Sequence, residues 1–240
     1  MIRFYAFCGY ILPVFGHILY YQPSKGRGGR LLNLHKDKEP VRISYNHPSA
    51  ASELGSSIAE LLSERPAGSN IVVMCIGTDR STGDALGPLV GSELTERTHD
   101  FVLYGTLDLP VHAVNLEQTI ARVQRSIEQP YIIAIDACLG QVANIGQISV
   151  ARGALQPGAG VHKQLPSVGD IHITGIVNVG GFMEYFVLQN TRLSIVFRMA
   201  NVIADALSYA SELHNLHLSH NANITSRSTI PRFSSLFKSK

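Results

Sequence analysis

Cysteine and charge are both scarce in this 240-residue chain: three cysteines, and 16% Asp, Glu, Lys and Arg against 45% hydrophobic residues. An odd number of cysteines, Cys8, Cys75 and Cys138, without the close paired spacing of a metal knuckle, excludes a disulfide framework and a structural zinc site. Cys75 and Cys138 lie in or beside apolar runs that read as buried strands, so a reducing cytoplasm suits them. No phosphate-binding signature is present. The loop GTDRSTGDALG at 77–87 has neither a Gly-Lys-Ser/Thr ending nor a G-x-G-x-x-G pattern, and a nucleotide is not expected. Ser81 has no nucleophile elbow around it, and no internal repeat is found.

Acidic residues are missing from one end. Residues 213–240 carry four Lys or Arg and no Asp or Glu, and residues 1–40 carry six basic and two acidic residues. The stretch between them, 41–212, carries ten basic and sixteen acidic residues, an acidic body between basic ends. Such ends read as solvated extensions rather than as a nucleic-acid surface. The one long apolar run, residues 4–21, has Arg3 alone ahead of it and no A-x-A cleavage pattern, and Gly9, Pro13, Gly16 and His17 interrupt it. A membrane anchor, a signal-like segment, or residues upstream of the true start would each fit. The last is preferred, because organised patterning begins near Asn46. No later segment is expected to span a bilayer, and a membrane is not an expected partner. The expected division is an extension over 1–45, an α/β domain over 46–213 and a basic disordered tail over 214–240.

What is present is alternation of strand and helix. Leu54, Ile58, Leu61 and Leu62 recur at helical spacing between His47 and Arg65. IVVMCIG (71–77) is a short continuous apolar run of the kind covered on both faces of a parallel sheet. LGPLVGSELTER reads as a helix, FVLYGTL from Phe101 as a strand, 116–128 as an amphipathic helix, and YIIAIDA (131–137) as an apolar strand ending in a carboxylate. GQISVARG (146–153) alternates like a half-exposed strand, IHITGIVN holds a short strand or a turn, and a closing helix runs from about 191 to 213. Together these predict a three-layer α/β/α sandwich with a mostly parallel sheet and right-handed crossovers. In such a fold ligands bind outside the carboxyl ends of the strands, which points at the loops after Ile76 and Ile135.

Asp84, in the first of those loops, and Asp136, at the end of the third strand, would meet at one sheet edge. Two neighbouring carboxylates cannot both ionise easily, so the pair can hold one acid and one base and activate water against an amide. Coordination of a divalent ion through oxygen is the alternative, and helix capping or turn formation is the structural one. Gly77, Thr78, Gly83 and Gly87 are expected to shape the turn around Asp84. Cys138 reads as a core thiol. His112, in LPVHAVN, and His172, in GDIHITG, each read as a ligand, a proton carrier or a structural histidine, with His112 placed beside the groove.

The segments VVMCIGTDRSTGDALGPLVG, YIIAIDACLG and GDIHITGIVNVGGFMEYFVLQNTRL resemble the YyaC-type sporulation family over roughly residues 50–212. That family is similar to the spore germination protease and, more distantly, to the hydrogenase-maturation proteases. The resemblance implies a germination-protease-like fold, a forespore or mother-cell cytoplasmic location, and a peptidase-like endopeptidase in which Asp84 of DALGP and Asp136 of IDA are catalytic. It also implies small acid-soluble spore proteins as substrate. A non-catalytic peptide-binding relative is the rival reading, and a homo-oligomer is compatible with either. In the hydrogenase peptidases the corresponding acidic positions and a histidine in an H-x-x-G turn bind nickel of the substrate. Here that implies a metal set of Asp84, Asp136 and His172, with Thr78 where those proteins carry Asn. No cofactor is required by the aspartate chemistry itself.

Overall fold

A computed structural model describes residues 40–158 and 165–227. Six strands form one sheet: β1 (Val41–Ser44), β2 (Asn70–Cys75), β3 (Val102–Tyr104), β4 (Pro130–Gly140), β5 (Gln147–Arg152) and β6 (Ile171–Val179). Five helices accompany them: α1 (Ala50–Ser63), α2 (Leu86–Thr95), α3 (Leu116–Ser126), α4 (Glu184–Gln189) and α5 (Leu193–Arg227). The strand order is β1-β5-β6-β4-β2-β3, with β6, β4, β2 and β3 mutually parallel and β5 antiparallel to both its neighbours. The mostly parallel three-layer α/β arrangement expected from the sequence is the one found.

Strand alternation divides the core between two faces. Val73, Cys75, Ile133, Ile135 and Ala137 point to one side, where they pack with Leu54, Ile58 and Leu62 of α1, Leu86, Val90 and Leu94 of α2, and the buried stripe of α5. Val72, Met74, Ile76, Ile132 and Ala134 point to the other, where Leu116 and Val123 of α3 cover them. The layers are therefore unequal. One face carries α1, α2 and α5, and α3 lies on the other beside the segment containing Val168.

Several elements differ from expectation. Val41–Ser44, placed by the sequence in an unstructured extension, pairs antiparallel with β5 as an edge strand. β4 does not stop at Asp136 but runs on to Gly140, because β6 stays paired with it on one side. IHITGIVN is the core of the nine-residue β6, flanked on both sides by partners. α4 was not anticipated. The closing helix continues through 214–227, part of the expected tail, to Arg227. Within it, Leu193–Leu216 is long and apolar enough by length and composition to cross a membrane, contrary to expectation. Its apolar stripe, Val196, Met199, Ala200, Ile203 and Leu207, is buried in the core of this fold. The apolar run at 4–21 and the end of the tail, 228–240, lie outside the described residues.

Candidate active site

The chain leaves β2 through α2 to reach β3 at the sheet edge, then returns through α3 to β4 on the other side of β2. Successive crossovers thus run in opposite directions and lie on opposite faces, and a crevice opens between the carboxyl ends of β2 and β4. Regular β2–β4 pairing ends at Cys75 and Ile135. Ile76 adds one more hydrogen bond, its N–H to the Ile135 carbonyl at 2.7 Å, and forms a single bridge to Val111. Asp136 is the next residue along β4. It is held in the sheet by β6, opposite Thr174, just where its neighbour on the other side has turned away.

The turned-away segment is the loop that carries Asp84. Gly77, at φ +143°, donates its N–H to the Val111 carbonyl at 2.8 Å, and Thr78 N–H returns to the Asp84 carbonyl at 3.1 Å, closing the loop on itself. A side chain at Gly77 would put its Cβ 2.0 Å from that same carbonyl oxygen, and one at Gly87 would sit 2.1 Å from the Ile76 oxygen. These contacts explain why both positions are glycine. Asp84 itself lies in a 3-10 turn, Gly83–Ala85, that leads directly into α2. Leu188 of α4 packs onto Gly83, so α4 backs the turn.

Asp84 and Asp136 line one cavity of about 440 Å³. Gly77, Thr78 and His112 line it as well, and Ile76, Ala113, Val114, Ala137, Pro157 and Leu165 give it largely apolar walls. Asp136 is 8% exposed and accepts the Ala137 N–H at 2.9 Å. Its pKa is pushed well above the usual carboxylate range, first by burial and then by the charge of Asp84, with the Ala137 N–H pulling the other way. Asp84 is less enclosed. Burial raises its pKa too, opposed by the hydroxyl of Ser81, which is buried yet makes no hydrogen bond of ordinary geometry. Both carboxyls are thus pushed towards their protonated forms, Asp136 the more strongly, so Asp84 is the first of the two to ionise, the order needed for paired acid and base work.

The structure does not bring His172 to this cavity. It pairs with Ala134, two residues before Asp136 on β4, and its Nδ1 contacts the Gly153 carbonyl at 2.9 Å. The H-x-x-G match falls in the middle of a strand rather than in a turn, so the third metal ligand suggested by resemblance is displaced by about two residues of strand rise, roughly 7 Å. Among the described residues, no three His, Cys, Asp or Glu side chains lie close enough together to hold an ion. The donor set of Asp84, Asp136 and His172 does not fit a metal. Cys75 and Cys138 are buried and form no disulfide, and burial raises the pKa of Cys75, consistent with a core role.

Sequence reasoning did not single out Arg80. It is exposed, but its side chain also borders the cavity. The apolar wall from Ala113 and Val114 was equally unread, since LPVHAVN lacks any periodicity that would assign a direction to its side chains.

A family model described as "Protein of unknown function (DUF1256)" matches residues 42–206. The chain is 53% identical over 167 residues to the "Uncharacterized protein YyaC" of Bacillus subtilis (strain 168), spanning 69% of this chain and 81% of that protein. Among solved structures, the [NiFe] hydrogenase maturation protease HycI from Thermococcus kodakarensis KOD1 is similar over 63% of this chain and 98% of its own, at 19% identity and a TM-score of 0.37. At that score the likeness bears on neither the site nor its chemistry.

Proposed function

This chain belongs to the DUF1256 family of YyaC-type proteins, and on that footing we propose that it is a peptidase-like hydrolase in which Asp84 and Asp136 activate water against a peptide bond. The observation that carries the reading is the placement of two carboxylates of unequal burial in one cavity at the switch point of the sheet, with the charge of one raising the pKa of the other. The ionised carboxylate takes a proton from water, and the protonated one delivers its proton to the departing nitrogen. Apolar walls beside the pair suit the side chains of an unfolded polypeptide and keep bulk water from the charges.

The substrate class we assign is a protein of the spore, with small acid-soluble spore proteins as the first candidates, met in the cytoplasm of the forespore or mother cell. Mass spectrometry of purified spore proteins incubated with the full chain tests this. Defined cleavage is expected from wild type and none from Asp84→Asn or Asp136→Asn, with all three equally folded by circular dichroism. Cleavage surviving in both variants would reject the aspartate chemistry. Saturable binding of the same proteins without turnover would replace it with the peptide-binding alternative.

A further inference from the structure

Two carboxylates can move protons, but neither when ionised can donate a hydrogen bond to the oxygen of the amide they attack. The cavity holds another group able to do so. His112 lines it, at the end of the segment that follows β3, and several interactions fix where it stands. Its N–H donates to Asn115 Oδ1 at 2.8 Å, and its carbonyl accepts the N–H groups of Asn115 and Leu116 at 3.0 and 2.9 Å, so the residue is built into the start of α3. The preceding residue, Val111, bridges to Ile76 and accepts the Gly77 N–H. The loop bearing Asp84 and the turn bearing His112 are therefore tied to each other through backbone.

The imidazole is oriented too. Its Nδ1 accepts the N–H of Val114 at 3.3 Å. A ring nitrogen that accepts carries the lone pair, so in the neutral ring the proton is on Nε2. Nε2 has no hydrogen-bond partner among the described residues. His112 lines the same cavity as Asp84 and Asp136, and the three do not form a metal-binding group. The cavity that the three line together is where a substrate group would lie.

We propose that His112 is a further catalytic residue, whose Nε2–H binds the carbonyl oxygen of the scissile amide and holds the negative charge that develops there. This rests on the peptidase reading and completes it. Water attacks the carbonyl carbon and loses a proton to the ionised carboxylate, while the carbonyl π electrons pass to the oxygen that His112 holds. As the C–N bond breaks, the oxygen returns its electrons to re-form the carbonyl, and the leaving nitrogen takes the proton of the second carboxyl. A new acid and a new amine result, and the pair has exchanged one proton between its members.

Two measurements on the full chain test this. The first needs no substrate: imidazole 15N chemical shifts of wild type assign the tautomer of His112. An Nε2-protonated neutral ring is expected, and an Nδ1-protonated ring, which would leave Nε2 without a proton to donate, overturns the proposal whatever the protein cleaves. The second uses a defined peptide library scored by mass spectrometry, followed by kinetics on the best-cleaved peptide. His112→Phe, which keeps a flat ring but no donor, is expected to lower kcat on the order of 100- to 1,000-fold with little change in KM. His112→Gln, which restores an N–H, is expected to recover part of that loss. Equal kcat in wild type and His112→Phe, or a loss seen only in KM, overturns the catalytic role. If wild type cuts no peptide, the hydrolytic reading itself fails and the role of His112 falls with it, a result that the tautomer measurement separates from an error about the ring.

Discussion

Replacing Gly87 with alanine should destabilise this protein, although the same change within a helix ordinarily stabilises by about 0.5–1 kcal/mol. Gly87 lies in the first turn of α2 and is not among the positive-φ glycines, so the cost comes from close approach alone. A Cβ there would stand 2.1 Å from the Ile76 oxygen and 2.7 Å from its nitrogen, where ordinary contact begins at 3.4 Å. Relief demands a separation of more than an ångström between two pieces of backbone, neither of which can swing aside as a side chain would. Ile76 is anchored by its hydrogen bond to Ile135, so the helix is the part that yields, and Asp84, three residues before Gly87, moves with it. Overpacking of this kind costs about 1–3 kcal/mol, and a displacement near 1 Å at reacting groups costs on the order of 100-fold in rate. Urea unfolding would read the first effect and cleavage of spore proteins the second. A Gly87→Ala protein as stable and as active as wild type would refute the view that this contact sets the position of Asp84.

The remaining expectations concern the carboxylates. Asp84→Asn and Asp136→Asn should each lower cleavage by about 100- to 10,000-fold, the range for removal of a general acid or base, while leaving the circular dichroism spectrum unchanged. Asp136→Asn should also change how stability depends on pH. Because the folded protein holds the Asp136 proton at pH values where the unfolded chain has lost it, this group's contribution is full below its ordinary value of 3.8 and is lost as pH rises through the folded value. The Asn variant cannot ionise and escapes that loss. It should therefore gain on wild type with rising pH in urea unfolding, and a constant difference between the two proteins across the whole range would contradict the burial of a charge.

β2 and the first part of β4 were legible because both of their faces are covered, which leaves uninterrupted apolar runs that need no partner to be recognised. The meeting of Asp84 with Asp136 was legible because parallel strands put the loops after Ile76 and Ile135 at the same edge of the sheet. The rest depended on neighbours that a sequence does not display. β6 was read as short because His172, Thr174 and Gly175 break its apolar run. In the structure His172 meets the Gly153 carbonyl, and Thr174 stands opposite Asp136. β4 seemed to end at its carboxylate, yet β6 pairing carries it to Gly140. β1 has four residues, one of them buried, too few to show alternation. The six residues of α4 are likewise too short for a helical period, although Leu188 is what holds the Asp84 turn from behind.

The claim on which the rest depends is that Asp84 and Asp136 feel each other across one cavity. Carboxyl 13C titration of Asp136 in wild type and in Asp84→Asn measures this directly, without any substrate. Removal of the neighbouring charge should lower the Asp136 midpoint while burial keeps it above the ordinary range. An identical Asp136 titration in the two proteins would show two independent aspartates, and a shared acid–base site would have no basis.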